Sequence, residues 1–442
     1  MKIKIVETDE NIVTYGGNLL VGELLGKTAL RERLNELEVT GNNGIKNADV
    51  AFSYIGTLTQ GQPEFEAVEQ FRDDDYFIKS MGISEIPSGP TLRQRLDAMG
   101  TEQKEQVLSI IQNEICKLLR TQNVQISPCY KDFVALDVDV TPFDNSKTKK
   151  EGLGFTYKKF MGFAPIMAYL GEEGYCVNVE LREGQQHCQK GTPKFLEQAI
   201  LNAKIVTDKP ILVRLDSGND SADNIKIMQA EESKVDFLFK RNPRREFLED
   251  HWMAACDVGY EVEGLRDGKR CFIYEETMTY KDCKPVRMVH FVVERTSTPN
   301  GQGFLIPEYE LESYTTSLFE ETPEQLRELY HAHGTSEQFH SEIKTDLDLE
   351  RLPSGKFATN EIVLTLGIFA YNILRIIGQE SLREDDYPPT AHKVKRRRIR
   401  TVIQHYITLA AKFVMHAREF YLKISHHNPW RESFERMYFD LG

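Results

Sequence analysis

Apolar and polar positions change rhythm three times along this chain. Up to about residue 127, apolar residues recur at helical spacing, and the pattern predicts helices near 22–36, 46–60, 64–72 and 90–122. Gly, Pro and Asn separate them. The opening run Met1–Glu7 alternates as a strand does. Ser88-Gly89-Pro90 reads as a helix start, with proline in the first turn, where its missing N–H is no loss. The helix that follows carries Arg93 and Arg95, a pattern shared by helix-turn-helix readers and by ordinary surface helices.

From about 128 the period shortens to that of strands, over 131–141, 162–170, 174–182, 210–216 and 235–240. Gly171-Glu172-Glu173-Gly174 marks a hairpin, and helices are expected at 193–204 and 221–231. Three strands, a helix, a strand, a helix and a strand make a mixed sheet flanked by helices, the α/β class. Between 245 and 320 the helical period fades, and runs such as Cys271–Tyr274 and Met288–Arg295 point to a β-rich insertion. Thr322-Pro323-Glu324 then opens a stretch expected to stay largely helical to about 426. The expected organisation is a mainly helical N-terminal DNA-binding module (1–127), the first part of an α/β core (128–244), the insertion (245–321) and the second part of the core with basic C-terminal helices (322–442).

Composition narrows the class. Forty per cent apolar and 28 % charged residues describe a globular chain with a sizeable core. No apolar run is read as long enough to span a bilayer, and no membrane role is expected. Seven scattered cysteines without a C-x-x-C pair point to reduced thiols and a cytoplasmic protein. The net charge of −13 argues against a nucleic-acid partner unless positive charge is local. It is local: between Pro389 and His427 nine basic residues, Arg396, Arg397 and Arg398 among them, face one acid, Glu419, a local +8. Lys147, Lys149, Lys150, Lys158 and Lys159 form a second basic cluster.

Three acidic positions then stand out. Asp137 and Asp139 lie two apart in an apolar strand and so share a face. Either suits a metal ligand; Asp139 is preferred, being nearer the strand's end and followed by Thr141, a hydroxyl able to support it. Asp216 ends a second apolar run, at the carboxyl end of a strand, where ligands gather in α/β sheets. The third is Glu337, chosen over Glu342: Lys344 lies about two turns on from Glu337 on the same face, whereas Glu342 is roughly 140° round. Carboxylate oxygens suit Mg²⁺ (or Mn²⁺), and a pair of such ions serves phosphodiester chemistry.

The segment Tyr330-His331-Ala332-His333-Gly334-Thr335-Ser336-Glu337, with Lys344 beyond it, resembles the Tyr-x₂-Arg-x₃-Glu-x₆-Lys signature of bacterial insertion-sequence DDE transposases. His333 stands where that signature has arginine. The blocks Leu136–Asp144, Gly162–Ile166, Leu181–Gly184, Arg214–Gly218 and Leu352–Phe357 also look like this family, most of all its group numbered 1380. The resemblance runs from about 45 to 425. It implies an RNase H-like core interrupted by the insertion, with Asp139, Asp216 and Glu337 as catalytic and metal-binding triad. Tyr330 and Lys344 would hold phosphates; a mostly neutral histidine at 333 cannot make arginine's fork, and Arg214 or a neighbouring lysine would have to compensate. Trp252 is a candidate platform for a flipped base in the insertion, with Tyr274 and Tyr280 weaker ones. The implied partners are double-stranded DNA (terminal inverted repeats and target) and a second copy of the chain on that DNA, in the bacterial cytoplasm at the nucleoid.

Overall fold

The computed structural model describes residues 3–39, 44–244, 246–383 and 394–442. Helices Asn18–Gly26, Leu30–Asn35 and Asn47–Leu58 open the chain, and the long 90–122 pattern resolves into α1 (Gly89–Glu102) and α2 (Lys104–Thr121). The break falls at Gln103, whose backbone (φ −140°, ψ 31°) leaves helical geometry. Ser88 caps α1 as expected, accepting the Thr91 N–H at 3.2 Å. Arg95 is buried and donates to Asn47, so it braces α1 against helix Asn47–Leu58, while Arg93 is exposed. Residues 3–7 lie exposed outside any strand; the first strand is the short Ile12–Val13.

β-Branched and aromatic runs from 134 onward assemble into one nine-stranded sheet. One half holds β1 (Val134–Val140), β2 (Ile166–Leu170), β3 (Tyr175–Glu180), β4 (Ile211–Leu215) and β5 (Asp236–Lys240) in the order β3-β2-β1-β4-β5. β1, β4 and β5 run parallel, while β2 and β3 are antiparallel to their neighbours. That order, with one reversed strand beside β1, is RNase H-like. Helices α3 (Thr192–Val206) and α4 (Ala222–Gln229) supply the crossovers. The single strand expected at 162–170 is interrupted by Pro165, which has no N–H for the ladder; Met161–Phe163 joins a small separate sheet with Phe143–Asp144 and Gly154–Phe155.

The insertion begins with a helix, α5 (Leu248–Val258), and continues as β6 (Tyr260–Glu261), β7 (Lys269–Met278), β8 (Val286–Ser297) and β9 (Gly303–Thr316). β9 pairs antiparallel with β5, so the insertion extends the main sheet.

The C-terminal part returns as α6 (Pro323–His331), α7 (Ser336–Ser341) and α8 (Phe357–Glu380). Thr322 and Gln325 close a reciprocal capping box on α6. Contrary to the composition-based expectation, α8 is long and apolar enough to cross a membrane. It is instead the central core helix, 94 % of its most apolar window being buried by the sheet and N-terminal helices. Each such buried Leu, Ile or Phe contributes roughly 1.5–3 kcal/mol. The expected basic C-terminal helices are a second correction. Residues 411–424 form a hairpin, β10 (Ala411–His416) with β11 (Glu419–Ile424), and β10 pairs with Ile12–Val13 from the other end of the chain. Lys393 of the basic run lies outside the described residues.

Candidate active site

Register alone brings the two aspartates together. β1 and β4 are parallel neighbours with Val138 opposite Leu215, so the next step sets Asp139 beside Asp216 at the carboxyl ends of both strands. Asp139 accepts the Val140 N–H at 2.7 Å and the His340 Nε2–H at 3.1 Å. Asp216 ends its strand on a short turn, Ser217–Asn219, from which Asn219 Nδ2 donates back to it at 2.6 Å. Burial would raise the Asp139 carboxyl, but His340 and the charge on His333 outweigh it and hold the group low. Asp216 is pushed above the usual range by burial and by the Asp139 charge.

Helix α7 is set over these strand ends by packing. Phe339 is buried against Tyr169 (ring centroids 5.0 Å apart) and over Gly174. Gly174 has φ +75°, and a Cβ there would stand 2.4 Å from the Phe339 ring, so only glycine closes this turn under α7. The neighbouring His340 joins the Tyr169 hydroxyl (3.0 Å at Nδ1) to Asp139. One turn earlier, Glu337 is exposed on the cleft side. Asp139, Asp216 and Glu337 thus line one open cleft of about 740 Å³, together with Thr141, Tyr330, His333 and Lys344. Tyr157, on the same wall, has its phenol raised first by the partial burial of its hydroxyl and then by the charges on Asp139, Asp216 and Glu337.

Other sequence candidates turn out to be braces. Asp137 is buried and takes a double hydrogen bond from Arg214 (2.6 and 2.7 Å) and a third from His333 Nδ1 (2.9 Å). Burial opposes ionisation, yet Arg214 and His333 hold its pKa at about 2. Asp137 is therefore held by Arg214 and His333 and does not line the cleft that Asp139 faces. Arg214 gives a third N–H to the Leu329 carbonyl (2.8 Å) and is buried outside the cleft lining, where it braces Asp137. His333 itself, although burial would lower it, is raised by the Asp137 charge and hydrogen bond, which favours its cationic form. Glu342 is buried under Arg375, Arg396 (2.6 Å) and the Ile399 N–H (3.1 Å), in the π-turn Glu342–Asp346 that follows α7.

The C-terminal arginines are likewise occupied. Arg396 is held by Glu342 and by Gln338 at 3.0 Å, Arg397 is buried on Ser381 (2.6 Å), and Arg398 is bonded to Asp346 (2.8 and 2.9 Å). Lys344 reaches the cleft, where Glu350 and the Pro142 carbonyl hold it, both at 2.8 Å. Trp252 lies on α5, outside the cleft wall, packed on Phe272 and Tyr309. Tyr274 is buried against His290.

Sequence reasoning missed His340, Asn219 and Tyr157. The signal for His340 was its place three residues after Glu337, which shares a helix face with it. Nothing local marks Tyr157, which reaches the cleft only through a distant turn.

Among the described residues, no group of three or more His, Cys, Asp or Glu side chains is close enough to hold an ion as it stands. The fit is one of donor chemistry: two carboxylates side by side, one destabilised by the other's charge, are relieved by a hard divalent cation. Glu337, exposed on the same cleft, offers a third carboxylate there.

An RNase H-like sheet with aspartates ending adjacent parallel strands, and a helix glutamate across from them, defines a class of nucleic-acid-processing folds. The particular family follows from a whole-chain match: residues 1–441 fit the family model described as Transposase DDE domain group 1, and the chain belongs to that family. No curated protein matches. Among solved structures, the chain is similar to a piggyBac transposase in a synaptic complex with hairpin DNA, determined by cryo-EM. The two share 11 % identity over 90 % of this chain and 83 % of that one, with a TM-score of 0.45.

Proposed function

We propose that the protein is a cut-and-paste DNA transposase of the insertion-sequence 1380 group, which cleaves the ends of its element and joins the freed 3′-OH ends to target DNA. The observation that carries this reading is the pairing of Asp139 with Asp216 at adjacent strand ends, with Glu337 on the same cleft, in a chain of a transposase family. These three residues would hold Mg²⁺ (or Mn²⁺). When bound, a pair of such ions activates water or a 3′-OH and stabilises the leaving oxygen.

The chain's own residues do the rest. His340 and the Val140 N–H fix one face of Asp139, and Asn219 fixes Asp216, so each carboxylate keeps its orientation toward the cleft. His333, favoured as a cation by Asp137, supplies the positive charge that the family signature draws from arginine. Tyr330 and Lys344 on the same wall are assigned to phosphates of the cleaved strand. The substrates are double-stranded DNA at the terminal inverted repeats and at the target. Cutting two ends together calls for two copies of the chain on DNA, and the setting is the bacterial cytoplasm at the nucleoid.

The test is to incubate purified protein with Mg²⁺ and DNA carrying the ends of its own element. Cleavage followed by strand transfer is expected. Cleavage alone would make it an RNase H-like nuclease, and binding without cleavage a catalytically silent DNA-binding regulator.

A further inference from the structure

A second surface adjoins the cleft. Strands Gly154–Phe155 and Met161–Phe163 pair as a hairpin in the small sheet, and the turn between them carries Tyr157, Lys158 and Lys159. The turn is tight: the Lys159 N–H donates to the Thr156 carbonyl and the Thr156 N–H to the Phe160 carbonyl, both at 2.9 Å. Lys159 sits at φ +64°, a left-handed backbone that glycine takes freely and lysine only against steric resistance.

The side chains here are displayed. Tyr157 is 65 % exposed, yet its hydroxyl donates to the carbonyl of Val140, next to Asp139, at 3.1 Å. The ring is therefore tethered at the rim of the acidic cleft with a face open to solvent. Phe155 (61 % exposed) and its cross-strand partner Met161 extend the apolar strip. The same segment carries Lys147, Lys149, Lys158 and Lys159, all exposed and none in an ion pair with any described carboxylate, and Lys158 lines the cleft beside Tyr157. Lys150 behaves differently: it is turned inward onto Asn145 (3.0 Å) and the Arg351 and Leu352 carbonyls.

Segment 147–160 carries five lysines against one acid, Glu151, in a chain of net charge −13. Set beside bare rings, the exposed lysines match a polyanion that also offers flat apolar faces. Lysine meets phosphate as a point charge, and an exposed ring stacks on any base. Bases within a duplex are already stacked, so the rings favour a strand whose bases have come apart.

We propose that segment 147–160 receives the DNA strand end at the cleft, its lysines on backbone phosphates and the Tyr157 ring beneath an unpaired base. This rests on the transposase reading and adds to it a preferred substrate, an end that is frayed or single-stranded.

Fluorescence anisotropy of the full chain across a salt series tests this, with a blunt labelled duplex and the same duplex bearing an unpaired tail. Changing Lys147, Lys149, Lys158 and Lys159 together to alanine should weaken both complexes. It should also lower the slope of log affinity against log salt by about 0.7–0.9 per lysine that meets a phosphate. Tyr157→Ala should weaken the tailed complex about 5- to 100-fold and spare the blunt one. Tyr157→Phe keeps the ring and should bind the tailed probe as the unaltered chain does. Circular dichroism checks that the variants are folded. If the unaltered protein binds both probes and the variants match it in affinity and salt slope, the role of this segment falls and the transposase reading stands. A Tyr157→Ala loss equal on both probes overturns base stacking. If the unaltered protein binds neither probe, both readings fall.

Discussion

The two basic stretches of this chain are alike in sequence, but the fold ties up the arginine triplet of one and leaves four lysines of the other exposed. Arg396, Arg397 and Arg398 are consumed by Glu342, Ser381 and Asp346, and Lys412 by Glu10. Lys147, Lys149, Lys158 and Lys159 have no such partners among the described residues, and Lys158 lines the cleft. The acids divide in the same way. Asp137 and Glu342 are buried and saturated by arginine, whereas Asp139, Asp216 and Glu337 line the open cleft. A charge that the fold neutralises holds the fold together; a charge it leaves facing solvent beside a cleft is available for substrate.

The largest effect that sharpens this division concerns the cleft acids. Asp139→Asn or Glu337→Gln should reduce end cleavage by about 10³-fold or more, the scale for groups that act as a unit, while leaving end binding intact. An active Glu337→Gln with a dead but folded Glu342→Gln would reverse the division on α7.

Next comes an internal charge. Arg375 is fully buried and bonded to Glu342, the Tyr371 hydroxyl (3.2 Å) and the Arg397 carbonyl (2.7 Å). Arg375→Met leaves Glu342 with its main partner gone and should destabilise the chain by about 3–5 kcal/mol, read from urea unfolding. An unchanged midpoint would mean that Glu342 is not held as a structural anchor.

The Asp137–His333 pair predicts a pH window. Asp137 is depressed to about 2, so its contribution is complete above the unfolded carboxyl value of about 4 and is lost as pH falls toward 2. His333 is raised, so its contribution is complete below about 6.5 and is lost as pH rises through its folded value. Urea midpoints should show the pair strongest between about pH 4 and 6.5, and Asp137→Asn should flatten both limbs.

The smallest effect is expected at Arg398, whose bond to Asp346 is half exposed. Arg398→Ala should cost at most about 1 kcal/mol of stability and leave the salt slope of DNA binding unchanged. A slope that falls as it does for the lysine variant would erase the contrast between the two stretches.

The strands that carry the aspartates were legible because each is a mainly apolar run with an acid at or near its carboxyl end, and their parallel pairing follows from the crossover between them. α6 was legible from Thr322-Pro323 and its capping box. What local patterns could not show was partnership. The 411–424 hairpin is anchored by Ile12–Val13, about four hundred residues away in sequence, so a window over either segment alone reads wrongly. Asp137 and Asp139 look equivalent two apart on one strand; only Arg214 on the neighbouring strand and His333 beyond α6 separate brace from cleft. His340 stayed hidden because its partner Asp139 lies two hundred positions earlier.

The most direct measurement is calorimetric titration of Mn²⁺ into the DNA-free protein and its variants. Asp139→Asn and Asp216→Asn should each abolish or greatly weaken ion binding, while Arg398→Ala binds as the unaltered chain does. Undiminished Mn²⁺ binding in both aspartate variants would contradict the assignment of these strand ends as the metal-holding site.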